Sequence, residues 1–372
     1  MDLEINGRYD DAFSHLFLVG LASILEDADD HRACMIWWKG RGKALLRTSD
    51  DLSWDDCSAI VQAHASRWRD SSWLNASDVY AEVKKGAKKT GNAVPAERAT
   101  LSPRLGTPGS LDKWRLLERN RARAIDALQT DLDRRYVGAL GEPSYWSGDV
   151  YANGYNPDRG ASRWEMVARN RGQEFITGRL RPLAGTVSSR SLSQIRDGLQ
   201  GTKVVDETGK NKDDSRTPTG LRSPSVTDNA RAWCALFGVS AFPVMKSTAP
   251  RRGSTAAFAQ ISGRNPFAVL PIWLNPWTLD RYRAVVRSRA LLTVGLDEVL
   301  GPVSNESEQD LRVRSGITTV TVGQSRQWLK KKGVEYCMLF SQYASDNKVP
   351  ERWLLKGHPV FLEDTVKQRS VS

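Results

Sequence analysis

The chain has 372 residues, 54 Lys and Arg against 43 Asp and Glu, 40% hydrophobic and 26% charged residues. This balance excludes a wholly disordered chain, and the length suits two or three domains. Charge is unevenly placed: residues 1–60 hold six basic and twelve acidic side chains, a net −6, which leaves +17 on the rest. The excess predicts a polyanionic partner for the later part, with nucleic acid the foremost candidate.

Taken in chain order, Asp10 is placed to cap a helix with Phe13, Phe17, Leu21 and Ile24 on its apolar face. Gly20 lies inside that helix, where it costs stability unless a close neighbour uses the space. The longest apolar run, His15 to Leu25, is shorter than the roughly 20 residues that span a bilayer. Asp2 and Glu4 stand where a secretory leader would be basic, so a cytoplasmic protein without membrane contact is expected. Two strand-like runs, 33–39 and 43–48, flank a Gly40-Arg41-Gly42 turn, and Ser53 opens a helix through Ile60, Val61, His64 and Trp68.

Residues 84–110, rich in Lys, Gly and Pro, read as a basic loop or linker. A helix is predicted over 111–136, with Arg115, Arg119, Arg121 and Arg123 opposite its apolar members. The polar stretch 201–228 marks the best boundary candidate. Beyond it the pattern predicts a helix near 230–237, strands near 241–245, 256–261 and 267–273, and a helix over 279–292. The tail reads as strand 312–322, helix 324–331, strand 334–340 and a last strand near 359–362. The expected class is α+β: an N-terminal unit over 1–90, a basic, loop-rich, arginine-bearing helical region over 91–228, and a mixed C-terminal region over 229–372.

Catalytic signatures are sparse. Gly42-Lys43 and Gly209-Lys210 lack the earlier glycine and the hydroxyl residue of a P-loop. Cys34, Cys57, Cys234 and Cys337 stand alone, without zinc-type spacing, which suits a reducing compartment. Four histidines leave little for a His-centred nuclease, and each is expected to be structural. Glu82-Val83-Lys84 has the ExK form of a metal-dependent nuclease, with Asp70 and Asp78 upstream, but its surroundings read as a solvated helix. No catalytic residue, metal or cofactor is therefore assigned.

Binding chemistry is denser. Residues 158–190 carry Arg159, Arg163, Arg169, Arg171, Arg179, Arg181 and Arg190, interrupted by Trp164 and Phe175, which could stack on bases. A second group includes Lys246, the loop pair Arg251 and Arg252, and Arg264; Arg281, Arg283, Arg287 and Arg289 are expected as a stripe along one helix. From these, Arg159, Arg163, Arg169, Arg171, Arg179, Arg181, Lys246, Arg251, Arg252 and Arg264 form the candidate nucleic-acid-binding set. The acidic residues 1–60 are expected to face a basic protein neighbour.

Two segments carry a family resemblance. AFSHLFLVGLASIL near the start, and AWCALFGVSAFPVMKS leading to SGRNPFAVLPIWLNPWTLDRYRAVV, resemble subunits of the type I-U (also called I-G) CRISPR effector complex, the Csb-type large-subunit-like proteins. The resemblance implies a non-catalytic subunit of a crRNA-guided Cascade surveillance complex in antiviral defence. Its implied partners are the other Cascade subunits, crRNA, target double-stranded DNA beside the protospacer-adjacent motif, and a helicase-nuclease effector. The alternatives are a crRNA-binding backbone or end-capping subunit, and an independent DNA-binding or restriction-type nuclease using Glu82 and Lys84.

Overall fold

A computed structural model of the chain describes residues 2–84, 93–104, 110–142, 161–166, 175–245, 254–261, 263–302, 309, 312, 317–347 and 350–363. It opens with β1 (Asp2–Asn6), α1 (Ala12–Asp27), β2 (Cys34–Trp38), β3 (Lys43–Thr48), α2 (Trp54–Arg69) and the short α3 (Ser72–Asn75). β3 pairs antiparallel with both β1 and β2. β1 and β2 are therefore parallel and bridged by α1, a split βαβ unit. Ser53 and Asp56 form the capping box that starts α2 where the sequence predicts it. At α1 the N-cap is Asp11, not Asp10, because Asp10 is engaged by Arg8 and Lys356.

β4 (Ser77–Lys84) and β5 (Ala93–Ala99) form an antiparallel hairpin. The ExK triplet thus lies on a strand and not a helix, and part of the supposed loop 84–110 is paired. Val79, Tyr80 and Val83 favour the pleat over the helix. α4 (Leu111–Asp126) and α5 (Asp131–Leu140) replace the single helix expected over 111–136. A Thr130–Asp133 capping box restarts the chain, while the apolar spacing runs through both helices and hides the break.

A π-turn at Ile176–Leu180 leads into α6 (Arg181–Ser189), α7 (Leu192–Gln200) and α8 (Asn229–Gly238). The short strands β6 (Val244–Met245), β7 (Ser254–Thr255) and β8 (Phe258–Ala259) precede β9 (Phe267–Ile272) and β10 (Trp277–Thr278). α9 (Leu279–Val286), α10 (Arg289–Leu300) and α11 (Thr319–Lys331) follow, then β11 (Tyr336–Ala344), β12 (Arg352–Leu354) and β13 (His358–Phe361). The helix expected over 279–292 is broken at Ser288, whose hydroxyl caps α10 by accepting the Leu291 amide. The β-branched run at 317–322 reads as strand, yet a Thr318–Thr321 capping box turns it into the start of α11.

The described residues form three antiparallel sheets interleaved with helices, a mixed α+β class. One has the order β1-β3-β2-β10; another runs β12-β11-β9-β8-β7-β6, with β13 also paired to β11; the third is the β4–β5 hairpin. One hydrophobic cluster extends from Leu3 to Leu362 and draws on all three expected regions. Among the described residues no helix is long and apolar enough to cross a membrane.

α1 is the axis of this core. Every residue from Ala12 to Leu25 is buried, so the helix is enclosed on all sides instead of presenting one apolar face. Its far side meets α8 at backbone contact. A Cβ on Gly20 would lie 1.8 Å from the Cys234 carbonyl oxygen, and one on Gly238 would lie 2.1 Å from that of Leu16. Among the polar members of α1, Ser23 donates to the Val19 carbonyl at 2.8 Å and His15 Nε2 lies 2.7 Å from the Tyr9 carbonyl, while His15 Nδ1 is buried without a hydrogen-bond partner among the described residues. Tryptophan fills the surrounding core, with Trp38, Trp68, Trp164, Trp233, Trp273 and Trp277 all fully buried. The abundance of tryptophan is thus largely a packing feature.

Gly20→Ala or Gly238→Ala must push two helix backbones apart and should cost roughly 1–3 kcal/mol. Gly185→Ala, where an added Cβ meets nothing within 4 Å, should be neutral or stabilising. Urea midpoints of the three variants check this, and a Gly20→Ala midpoint equal to wild type refutes the close crossing. Burial lowers the His15 pKa to about 4 and pushes that of His64 well below its usual value. Both rings are neutral when folded, so their contribution is complete above the ordinary histidine pKa and is lost as pH falls toward 4. Stability measured against pH should decline over that window, and His15→Gln should flatten the decline.

Candidate nucleic-acid interface

The polar stretch 201–228, the expected boundary, is folded around one buried carboxylate. Asp206 is fully buried and accepts from the Gly209 amide at 2.8 Å, the Thr217 hydroxyl at 2.6 Å, Asn229 Nδ2 at 3.0 Å and the Thr227 amide at 3.1 Å. Burial pushes the Asp206 carboxyl up, but the hydroxyl and amide donors around it outweigh that effect and hold it below the usual range. Beside it Arg190, also buried, reaches Asp228 at 3.0 Å, Glu207 at 2.5 Å and the Val205 carbonyl at 2.6 Å. Polar side chains thus serve as the core of this segment, and its lysines point outward. Lys203, Lys210 and Lys212 are exposed and make no side-chain ion pair or hydrogen bond among the described residues.

Of the candidate set, Arg159, Arg169, Arg171, Lys246, Arg251 and Arg252 lie outside the described residues. Arg163 is half-buried, its amide donating to the Thr255 hydroxyl at 3.0 Å beside β7. Arg264 is exposed in the turn before β9. Arg179 is largely below the surface, where burial and then neighbouring Arg216 push its pKa down. Arg181 donates Nε to the Leu74 carbonyl at 3.0 Å and so ties α6 to α3. The described arginines of 158–190 are therefore divided between surface and interior. Trp164 and Phe175 are 0% and 1% exposed, so neither offers a ring to a base, contrary to expectation.

The expected arginine stripe over 281–289 is also absent. Arg281 binds the Lys332 carbonyl and stacks over Trp277, while Arg283 is buried between Asp280 and Glu26. Arg287 reaches toward the Ala241 carbonyl at 3.5 Å, and Arg289 is exposed on the next helix. The break at Ser288 separates them.

The acidic start finds much of its counter-charge inside the chain. Asp2 pairs with Arg47, and Glu4 with Lys39 and Lys43. Asp27 holds Arg67 at 2.6 Å, Asp55 holds Arg196 at 3.0 Å, and Asp11 lies 3.7 Å from Arg222. These carboxylates are accordingly less available to an outside basic neighbour than composition suggests. The exposed cations without a side-chain partner among the described residues include Arg119, Arg123, Lys203, Lys210, Lys212, Arg289 and Lys331. In the sequence the loop lysines are masked by the neighbouring acids Asp206, Glu207, Asp213 and Asp214; Asp206 turns inward to Asn and Thr donors, and Glu207 pairs with Arg190.

Among the described residues no group of three or more His, Cys, Asp and Glu side chains is arranged to hold a metal ion. No family model matches the chain, and no curated protein matches it.

Replacing Lys203, Lys210 and Lys212 by Gln should leave thermal stability unchanged and flatten the salt dependence of nucleic-acid binding, by roughly one unit of slope for each phosphate no longer neutralised. Asp206→Ala should instead destabilise by about 1–3 kcal/mol, because its buried donors are left without an acceptor. Calorimetric melting and titrations at several salt concentrations separate the two effects; an unaltered melt for Asp206→Ala contradicts the folded-loop account.

Proposed function

We propose that the chain is a non-catalytic, nucleic-acid-binding subunit of a crRNA-guided type I CRISPR surveillance complex. In this reading it is large-subunit-like, contacts target DNA near the protospacer-adjacent motif and helps recruit a helicase-nuclease. The observation that carries the nucleic-acid part is electrostatic. The carboxylates of residues 1–60 are matched largely within the chain, while lysines and arginines on the polar loop, α4, α10 and α11 are left exposed without side-chain partners among the described residues. Exposed lysines and arginines on a chain of net charge +11 attract a phosphate backbone by counterion release and need no base contacts. The assignment to a CRISPR complex rests on the resemblance carried by AFSHLFLVGLASIL and by the run from AWCALFGV to LDRYRAVV. Guide pairing would then supply the sequence reading that the basic surface lacks.

The rigidity of the polar loop suits this role. The backbone that carries these lysines, held by Asp206 and Arg190, loses little conformational freedom when they meet phosphate. The full chain should bind duplex and single-stranded oligonucleotides, with log affinity falling linearly against log salt. Nuclease digestion of the native purified assembly should reveal both an RNase-sensitive guide and co-purifying complex subunits. RNA protection without duplex binding favours the crRNA-binding subunit reading. Cleavage of labelled DNA in Mg²⁺ or Mn²⁺ that Glu82→Ala abolishes overturns the non-catalytic assignment.

A further inference from the structure

A cleft of about 300 Å³ opens between α4 and the root of the β4–β5 hairpin, lined by Trp73, Ala76, Ser77, Thr100, Asn120, Arg123, Ala124 and Ala127. Its size is at the small end for a ligand site, enough for one nucleotide unit. Asn120, Arg123 and Ala124 project from one face of α4, and Ala127, its C-cap, continues that face, because they recur at the helical spacing of three and four. The alanines leave the space that a larger side chain would fill. Trp73, almost wholly buried and edge-on to Trp68 with ring centroids 4.4 Å apart, forms part of the cleft floor.

The polar groups have a defined polarity. Asn120 Nδ2 donates to Asp78 Oδ2 at 3.0 Å and to the Tyr80 hydroxyl at 3.2 Å, which engages both of its hydrogens and leaves Oδ1 as the acceptor. The Ser77 hydroxyl donates to Glu97, so its lone pairs are what it has left to offer. Arg123 is the one cation on the wall; its guanidinium makes no ion pair or hydrogen bond among the described residues, and no carboxylate lines the cleft. A complementary ligand combines an anionic group for Arg123 with an amino donor for Asn120 and Ser77.

We infer that this cleft binds a nucleoside 5′-monophosphate whose base carries an exocyclic amino group, either free or as one unit of a strand. The strand-borne form rests on the proposed function; the free form does not. The phosphate meets Arg123, and the base edge reaches Asn120 and Ser77. Selection among bases follows from the acceptors: adenine and cytosine present an amino group, whereas uracil presents a carbonyl at the corresponding position and would be repelled there.

Calorimetric titration of the full chain with AMP, CMP, UMP and ribose 5-phosphate tests the inference. AMP and CMP should bind, UMP roughly five-fold more weakly and ribose 5-phosphate more weakly still, since each missing hydrogen bond is worth a fraction of a decade to a decade. Arg123→Gln should weaken AMP by roughly ten-fold, as expected for a charge-assisted pairing. Ala127→Leu, at an exposed lining position, should block AMP without lowering the melting temperature. The inference fails if all four compounds bind equally, if none binds, or if AMP binding is indifferent to both variants. Binding of oligo(A) and oligo(U) distinguishes the sources. Loss of oligo(A) preference in Ala127→Leu places the base of a strand in the cleft. AMP binding beside an absence of oligonucleotide binding supports the free-nucleotide form and refutes the proposed function alone.

Discussion

The structure depends on one contact, the meeting of α1 and α8 at Gly20 and Gly238. With no Cβ on either glycine, each helix presses backbone against backbone, Gly20 against Cys234 and Gly238 against Leu16. This crossing joins the first residues of the chain to a segment more than two hundred positions later. It also explains why α1 tolerates no polar face: the split βαβ sheet covers one side and α8 the other. Around the crossing, Trp68 and Phe237 pack edge to face at 4.3 Å, and Trp233 donates its indole hydrogen to His64 Nδ1 at 3.1 Å. Dense aromatic packing of this kind makes the interior sensitive to small displacements.

A second constraint is electrostatic and follows from the first. Bringing α8 against α1 carries the polar stretch 201–228 onto the body of the protein, where its acids must be satisfied or neutralised. Asp206 takes hydroxyl and amide donors, and Asp228 takes Arg190 while also capping α8 through the Ala230 amide at 2.8 Å. Buried charges cost desolvation free energy, so their worth here is specificity of the loop conformation more than net stability. The lysines between them stay in solvent. A segment that resembles a linker by composition is in this way a folded projection whose lysines stay in solvent.

The helix and strand pattern was partly legible from residue spacing. α1, β2, β3 and α2 lie where periodicity and the Ser53 cap place them, since these are local signals. Breaks inside long periodic runs were not legible, because Thr130 and Ser288 act through hydrogen bonds that leave the apolar spacing intact. The strand expected at 312–322 failed for the opposite reason: β-branched residues suggested a pleat, and one capping box outweighed them. For the candidate interface, arginine number was visible and arginine environment was not. Arg181 and Arg190 look alike in sequence to an exposed phosphate-binding residue, yet one ties α6 to α3 and the other neutralises Asp228.

By itself the sequence determined the mixed α+β class, the asymmetry of charge, and the prospect that Gly20 needs a close neighbour, because composition and spacing are properties of the chain. Tertiary structure alone decided which charges remain in solvent, which tryptophans are core, and where a cleft opens beside Arg123. Those outcomes depend on which segments meet across long separations, as Asp55 meets Arg196 and Asn120 meets Asp78. Pairing and burial are set by that meeting, and no local pattern encodes the partner.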